Sequence, residues 1–406
     1  MTRAILWLTG VAVAGFVGVA SSAIVHQAKR PATSYMLGVG PLGTAQGNLA
    51  FASYAARVQS NPRAQVTARE RELAAAAYRS EPLSSSALGL LILSRDGNDP
   101  ARRSLLDIGG KLTRRSSLIT AASIDAAARS GDEGAFFRWL SRAILTNESM
   151  RATYIRAMAQ ATARPGAVAT LAPVLGPKPS WSDRYWGYVA AMPESLENAV
   201  KLRLLLAGAP WRQTEVTATD RNLALALTKR RQFDTVQQLA SGLQRVSSRR
   251  TAQHNLLTNG NFDQPSQMPP IDWELASEGN LGASINVRAK KLIISPIAGA
   301  HGYAARQLVR LEPGRYDLSW TLASNSRIGP DELVAHLSCA ERQEKGGMPP
   351  VELAVGSHSK VVEVPQTPCR WYQLSIDADL PDMGSGFDAE LRTIRLTPAS
   401  ANRLSG

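Results

Sequence analysis

The side chains best suited to metal or nucleophilic chemistry in this 406-residue chain are five histidines and two cysteines. His26, His254, His301, His336 and His358 form no H-E-x-x-H or H-x-H pattern, so no two of them share a metal-ligating spacing. Neither a G-x-S-x-G nucleophile elbow nor a P-loop occurs. Cys339 and Cys369 are too few for a cysteine-based zinc site and have no histidine at ligand spacing. Two cysteines suit one disulfide, preserved in an oxidising compartment; two buried thiols are the other reading. GVGPLG at 38–43 matches G-x-G-x-x-G literally, but it carries Pro41 and has no acidic residue about twenty positions on to meet a ribose. The acidic run 377–390 places Pro381 and Asp382 where a calcium loop needs Asp or Asn and then Gly. Carboxylate pairs for glycosidic chemistry converge only in space, and nothing here singles one out. The expectation is a chain with no catalytic residue, metal or cofactor, and hence no enzyme.

The positioning elements fall into two halves of different charge. Residues 1–250 carry 32 Lys+Arg against 16 Asp+Glu, while 251–406 carry 14 against 17. The basic character belongs to the first half, where arginines are scattered through amphipathic segments. Nucleic-acid binding calls for a basic stripe or a reader motif, and neither is present. Residues 4–25 run for 22 positions without a charge, enough at 1.5 Å per residue for a bilayer core of roughly 30 Å. The length favours an uncleaved anchor; Ser21 and Ala23 keep a cleaved signal peptide open. Residues 1–30 are thus a transmembrane anchor or a signal peptide. Residues 31–61, punctuated by Pro31, Gly38, Gly40, Pro41, Gly43 and Gly47, read as a linker.

From 62 to 250 apolar positions recur at three- and four-residue spacing between short polar breaks, which predicts helices. Ala101, Leu105 and Ile108 are spaced four and three apart, and Phe136, Leu140 and Ala143 repeat that spacing 35 residues later. This resembles the second helix of a degenerate tetratricopeptide repeat, and the resemblance implies an α-solenoid that binds partners; a bundle without repeats is the alternative. Trp181, Tyr185, Trp186 and Tyr188 share one helical face, either as core or as an aromatic platform.

After 250 the period changes to two. Tyr316, Leu318, Trp320 and Leu322 alternate with Arg315, Asp317, Ser319 and Thr321, the pattern of a half-buried strand. About eight such strands predict an all-β sandwich over 251–400. The fold class expected is an α + β multidomain chain with a transmembrane helix, an α-solenoid and a C-terminal jelly-roll sandwich.

Asn259, Gly260, Asn261, Phe262 and Asp263, followed by Asp272 and Trp273, resemble the entry of carbohydrate-binding-module and galactose-binding-like jelly rolls. Phe262 and Trp273 read as core, with Asn259-Gly260 as a pair tolerant of positive φ. The whole arrangement also resembles uncharacterised proteobacterial envelope proteins that join an anchor, degenerate repeats and such a sandwich. In that group a paired cysteine feature recurs, matched by Cys339 and Cys369, whose bridge would contribute roughly 3 kcal/mol. Tyr303, Trp371 and Tyr372 are the candidate glycan-binding rings. The resemblance implies a membrane-anchored, non-enzymatic scaffold in the inner membrane, single-pass, with the bulk of the chain periplasmic. Its partners would be envelope proteins on the repeats and polysaccharide on the sandwich. The alternative is a carbohydrate-active enzyme accessory or a degenerate hydrolase with a sugar-binding module.

Overall fold

The computed structural model describes residues 2–26, 29–38, 42–61, 63–247, 255–277, 279–342, 348–383 and 385–399, without the side chains of 2–12 and 244–247. Among them fourteen helices precede ten strands. The helices are α1 (Thr2–His26), α2 (Pro31–Leu37), α3 (Leu42–Ser60), α4 (Ala68–Ser80), α5 (Ser85–Leu93), α6 (Pro100–Leu112) and α7 (Ser117–Ser130). Then come α8 (Glu133–Thr146), α9 (Arg151–Ala161), α10 (Ala167–Leu175), α11 (Ser182–Ala190), α12 (Leu196–Ala207), α13 (Ala218–Lys229) and α14 (Phe233–Ser247). The chain divides into two compact units, Met1–Ala161 with Ala169–Val174 and Thr162–Val168 with Leu175–Gly406. Helices α11 to α14 therefore belong with the strands, although helical periodicity runs unbroken to 250.

In the first unit short polar side chains start the helices by accepting orphan backbone N–H groups. Ser84 caps α5, Asp99 caps α6 ahead of Pro100, and Asp132 caps α8. Thr67 and Glu70 form a reciprocal capping box on α4. Glu70 also receives Arg57 at 2.5 Å and the Ser53 hydroxyl at 2.9 Å. Its burial would raise the carboxyl, but these donors prevail and hold it at about 2.

The stretch 31–61, expected as a linker, is mostly helix. Gly43 and Gly47 let α3 lie against α4 and α5, because a Cβ there would collide with Ser80 and Ser84. The residues that look like linker punctuation thus work as close-packing contacts. Residues 39–41 of the G-x-G-x-x-G stretch lie outside the described set, and Gly38 closes α2 with φ 65°. The repeat pattern also needs correcting. Leu140 and Ala143 are buried as expected, but Ile108 is 44% exposed. The expected anchor, 4–25, begins among side chains outside the described set; among the described residues no helix is long and apolar enough to cross a membrane.

In the second unit, Arg203 of α12 and Asp220 of α13 form a buried pair, Nε–Oδ1 2.6 Å and Nη2–Oδ2 3.0 Å. Arg203 also donates to the carbonyls of Gln213 and Glu215, so no buried charge is left unsatisfied there. The strands are β1 (Glu274–Leu275), β2 (Leu281–Asn286), β3 (Lys291–Pro296), β4 (His301–Arg310) and β5 (Gly314–Ser324). They continue as β6 (Leu333–Cys339), β7 (Val351–Glu352), β8 (Gly356–Val364), β9 (Trp371–Asp379) and β10 (Ala389–Pro398). Two antiparallel five-stranded sheets result, ordered β1-β4-β9-β6-β7 and β2-β3-β10-β5-β8. Tyr316, Leu318, Trp320 and Leu322 all point into the core between them, as the alternation requires.

Phe262 and Trp273 are fully buried with ring centroids 5.8 Å apart, and the Trp273 indole donates to the Asn259 carbonyl. Asn259 has φ 54°, but Gly260 is needed for space: a Cβ would press into the Ile394 carbonyl. Asp272 is buried beside them, and desolvation pushes its carboxyl up to about 6 against donation from Gln267, Trp273 and Asn259.

These two carboxyls predict opposite pH responses. Glu70 has a depressed pKa, so its contribution is complete above pH 4.5 and lost as the pH falls toward 2. In denaturation series, Glu70→Gln should cost about 2–3 kcal/mol at neutral pH, with the difference closing in acid. Asp272 has a raised pKa, so the folded sandwich takes up its proton first and gains stability as the pH falls from above 6 toward 3.8. Asp272→Asn should flatten that slope in the sandwich transition.

Candidate functional site

The strand period assigns one face of the β1-β4-β9-β6-β7 sheet to the core and the other to polar groups. On β9, Leu374, Ile376 and Ala378 point inward, which leaves Gln373, Ser375 and Asp377 on the outer face. On β6, Leu333, Ala335 and Leu337 are buried, which leaves Val334, His336 and Ser338 outside. A bulge between Tyr303 and Ala305 on β4 brings Tyr303 and Arg306 to that same face. The register then aligns Glu274, Arg306, Ser375 and His336 in one row across four strands. Tyr303, Asp377 and Val334 form the adjacent row.

These groups hold one another in place. Arg306 donates from Nε and Nη2 to the two oxygens of Glu274, each at 2.8 Å, a bidentate pair. Its guanidinium lies 4.0 Å from the centroid of the Tyr303 ring, and the Tyr303 hydroxyl donates to Glu274 at 3.3 Å. The Ser375 hydroxyl donates to Asp377 at 3.0 Å. Burial raises the Asp377 carboxyl, while Ser375, His336 and Arg306 pull it the other way. The result is a half-buried, pre-oriented set of donors and acceptors beside an aromatic ring. It can bind hydroxyls and acidic or basic groups by hydrogen bonding.

Of the three rings expected to meet a glycan, Tyr303 belongs to this face. Trp371 and Tyr372 are each only 2% exposed, so neither presents a face for stacking. Trp371 stands on the outer side of β9 but is covered by α14: its indole donates to Asp234 at 3.0 Å, and Phe233 lies 6.1 Å away, centroid to centroid. Tyr372 turns inward into the sandwich core. The expected Cys339–Cys369 disulfide is present, with Cα atoms 6.1 Å apart, and ties the end of β6 to the approach of β9. Cys339, Glu341 and Cys369 cluster closely, but both sulfurs are bonded to each other. Arg306, Glu274, Ser375, Asp377 and His336 were not singled out from sequence. Their signal was the alternation in QLSIDAD at 373–379, but the β4 bulge that completes the face leaves no such mark.

Trp181, Tyr185 and Trp186 are core residues of the helical part of this unit, packed edge to face. Beside them a cleft of about 350 Å³ is lined by Trp186 and Trp211 together with Lys178, Asp183, Arg212 and Glu215. Gln213 fixes its loop by donating to the carbonyls of Leu175 and Gly176.

No protein-family model matches this chain. No curated protein matches it either. Solved structures similar to its C-terminal β region include two carbohydrate-binding modules. One, described as "CBM4 structure and function", is 16% identical with a TM-score of 0.27, and the likeness covers 35% of this chain and 99% of that one. The other is TmCBM61 in complex with beta-1,4-galactotriose, 11% identical with a TM-score of 0.25, covering 36% of this chain and 99% of that one. Likenesses at these scores carry no functional weight.

Replacing both cysteines by serine should lower the stability of the strand-containing unit by about 3–4 kcal/mol, from the loop entropy that the bridge removes. Denaturant unfolding under oxidising conditions measures it, and addition of reductant should bring the parent protein to the same value.

Proposed function

We propose that this chain is a membrane-tethered, non-enzymatic binding protein whose β-sandwich, of jelly-roll type, binds carbohydrate on the outer face of the β1-β4-β9-β6-β7 sheet. One observation carries the reading: the row Glu274, Arg306, Ser375, His336, with Tyr303 and Asp377 beside it. Sugar hydroxyls both donate and accept, and a pre-oriented set of charged partners meets them without ordering flexible side chains on binding. An aromatic ring at the edge of such a set offers the apolar contact that a sugar ring face also needs.

The tether is proposed on the exposed apolar side chains of α1, among them Val13, Phe16, Val17, Ile24 and Val25. Exposed apolar side chains along a helix suit contact with lipid. Together with the disulfide this supports export, with the bulk of the chain periplasmic and anchored in the inner membrane. The helices of the first unit, read as degenerate tetratricopeptide-like repeats, would then receive envelope proteins, and the setting would be exopolysaccharide assembly or export. The cleft lined by Asp183, Glu215, Trp186 and Trp211 supports a second reading, a degenerate hydrolase or carbohydrate-active enzyme accessory. Under that reading glycan cleavage would be measurable and abolished by Asp183→Asn with Glu215→Gln.

Titration of detergent-solubilised full-length protein with neutral oligosaccharides tests the sheet-face site. Binding should weaken tenfold or more in Arg306→Ala and in Tyr303→Ala, the loss expected when about 1.4 kcal/mol or more of contact is removed. Binding that both substitutions leave intact places the glycan elsewhere and overturns the assignment.

A further inference from the structure

The first unit contains a groove that the sheet-face reading does not use. Helix α6 lines one wall with Arg103, Leu106, Asp107, Gly110 and Lys111, spaced as one helical face. Helix α8 and its cap line the other with Asp132, Ala135, Trp139 and Arg142. The floor is α7, whose Ser123, Ala126, Ala127 and Ser130 are all small. Short side chains on the middle helix and long ones on its neighbours leave an open trough of about 810 Å³.

Its charge is unbalanced. Arg103, Lys111, Arg129 and Arg142 line it against two carboxylates, and both carboxylates are already engaged. Asp107 pairs with Lys111 at 2.7 Å, and Asp132 accepts the Ala135 N–H at 2.8 Å. Arg129 is held by Asp125 at 3.0 Å. Among the described residues Arg103 and Arg142 form no ion pair. The Arg142 guanidinium lies 4.5 Å from the centroid of the Trp139 ring, and such stacking leaves its in-plane donors able to meet a carboxylate.

We infer that this groove binds an acidic polysaccharide, a chain carrying carboxylates at regular intervals. Arg103 on α6 and Arg142 on α8 stand on different walls of the trough, so a ligand that meets both has to span it, as a chain with repeated carboxylates does. An acidic peptide would bring backbone donors and acceptors that need partners once desolvated. Against those the lining offers one carboxamide, Asn98, and two serine hydroxyls that already donate, Ser123 to Ile119 and Ser130 to Ala127. A polysaccharide bears its charges on the outside of its rings and can leave its hydroxyls to water. The inference stands independently of the sheet face.

The test is titration of the full-length protein in detergent with polygalacturonate oligomers, with dextran and polyglutamate as comparison ligands. Polygalacturonate should bind in a salt-dependent manner, weakening at least tenfold between about 50 and 500 mM salt. Arg103→Gln with Arg142→Gln should lower its affinity at least tenfold, and Arg142→Lys should give a partial loss. Both keep the buried packing, and unchanged circular dichroism verifies the fold. Measured in the Arg306→Ala background, where the sheet-face site is disabled, the remaining polygalacturonate binding should still fall at least tenfold when Arg103→Gln and Arg142→Gln are added, so failure of one site is distinguishable from failure of the other. Absent or salt-independent polygalacturonate binding, binding that the double variant leaves unchanged, or polyglutamate binding equally well through the same arginines would overturn the inference.

Discussion

The indole of Trp371 donates to Asp234 at the first turn of α14, and the ring packs against Phe233. This contact closes the outer face of β9 at one end, within the compact unit that α11 to α14 share with the strands. Arg370 reinforces it from the next position, reaching Asp234 at 3.6 Å while its backbone N–H donates to Glu341. Arg231, in the turn before α14, donates to the Glu341 carbonyl, so three chain segments converge around the disulfide. A buried indole with an unmet N–H would cost free energy, and Asp234 removes that cost.

The functional consequence is a division of the sheet face. The end bearing Trp371 is occupied by the protein's own helix. The polar remainder keeps the Glu274–Arg306 pair, Tyr303, Ser375, Asp377 and His336 available as an organised surface. In both this face and the α6–α8 groove a guanidinium lies on an aromatic ring, Arg306 on Tyr303 and Arg142 on Trp139. Stacking fixes the orientation of the planar cation while leaving its edge able to donate, which suits carboxylates and hydroxyls.

Much of the architecture was legible because local periodicity encodes it. The alternation in 315–322 corresponds to the buried and outer faces of β5, and the change from helix to strand character near 250 falls between α14 and β1. The caps Thr67, Asp99 and Asp132 are equally local, each side chain accepting from a backbone N–H two or three residues on, although they were not read from the sequence. The linker expectation for 31–61 failed because glycines serve turns and close helix contacts alike; only the presence of Ser80 and Ser84 opposite Gly43 and Gly47 separates the two. Trp371 and Tyr372 proved buried, since an aromatic side chain is equally suited to stacking on a sugar and to filling a core.

By itself the sequence determined the class of each half, the excess of basic residues among the helices, a single possible disulfide pair and the core duty of Phe262 and Trp273. These follow from spacing, composition and count, properties that neighbouring residues carry without reference to the rest of the chain. Tertiary structure alone decided that α11 to α14 join the sandwich, that Trp371 is covered, and that Glu274, Arg306, Ser375 and His336 share a row. Those outcomes depend on register between strands far apart in the chain and on one β-bulge, and a shift of one residue in either would turn each polar side chain to the opposite face.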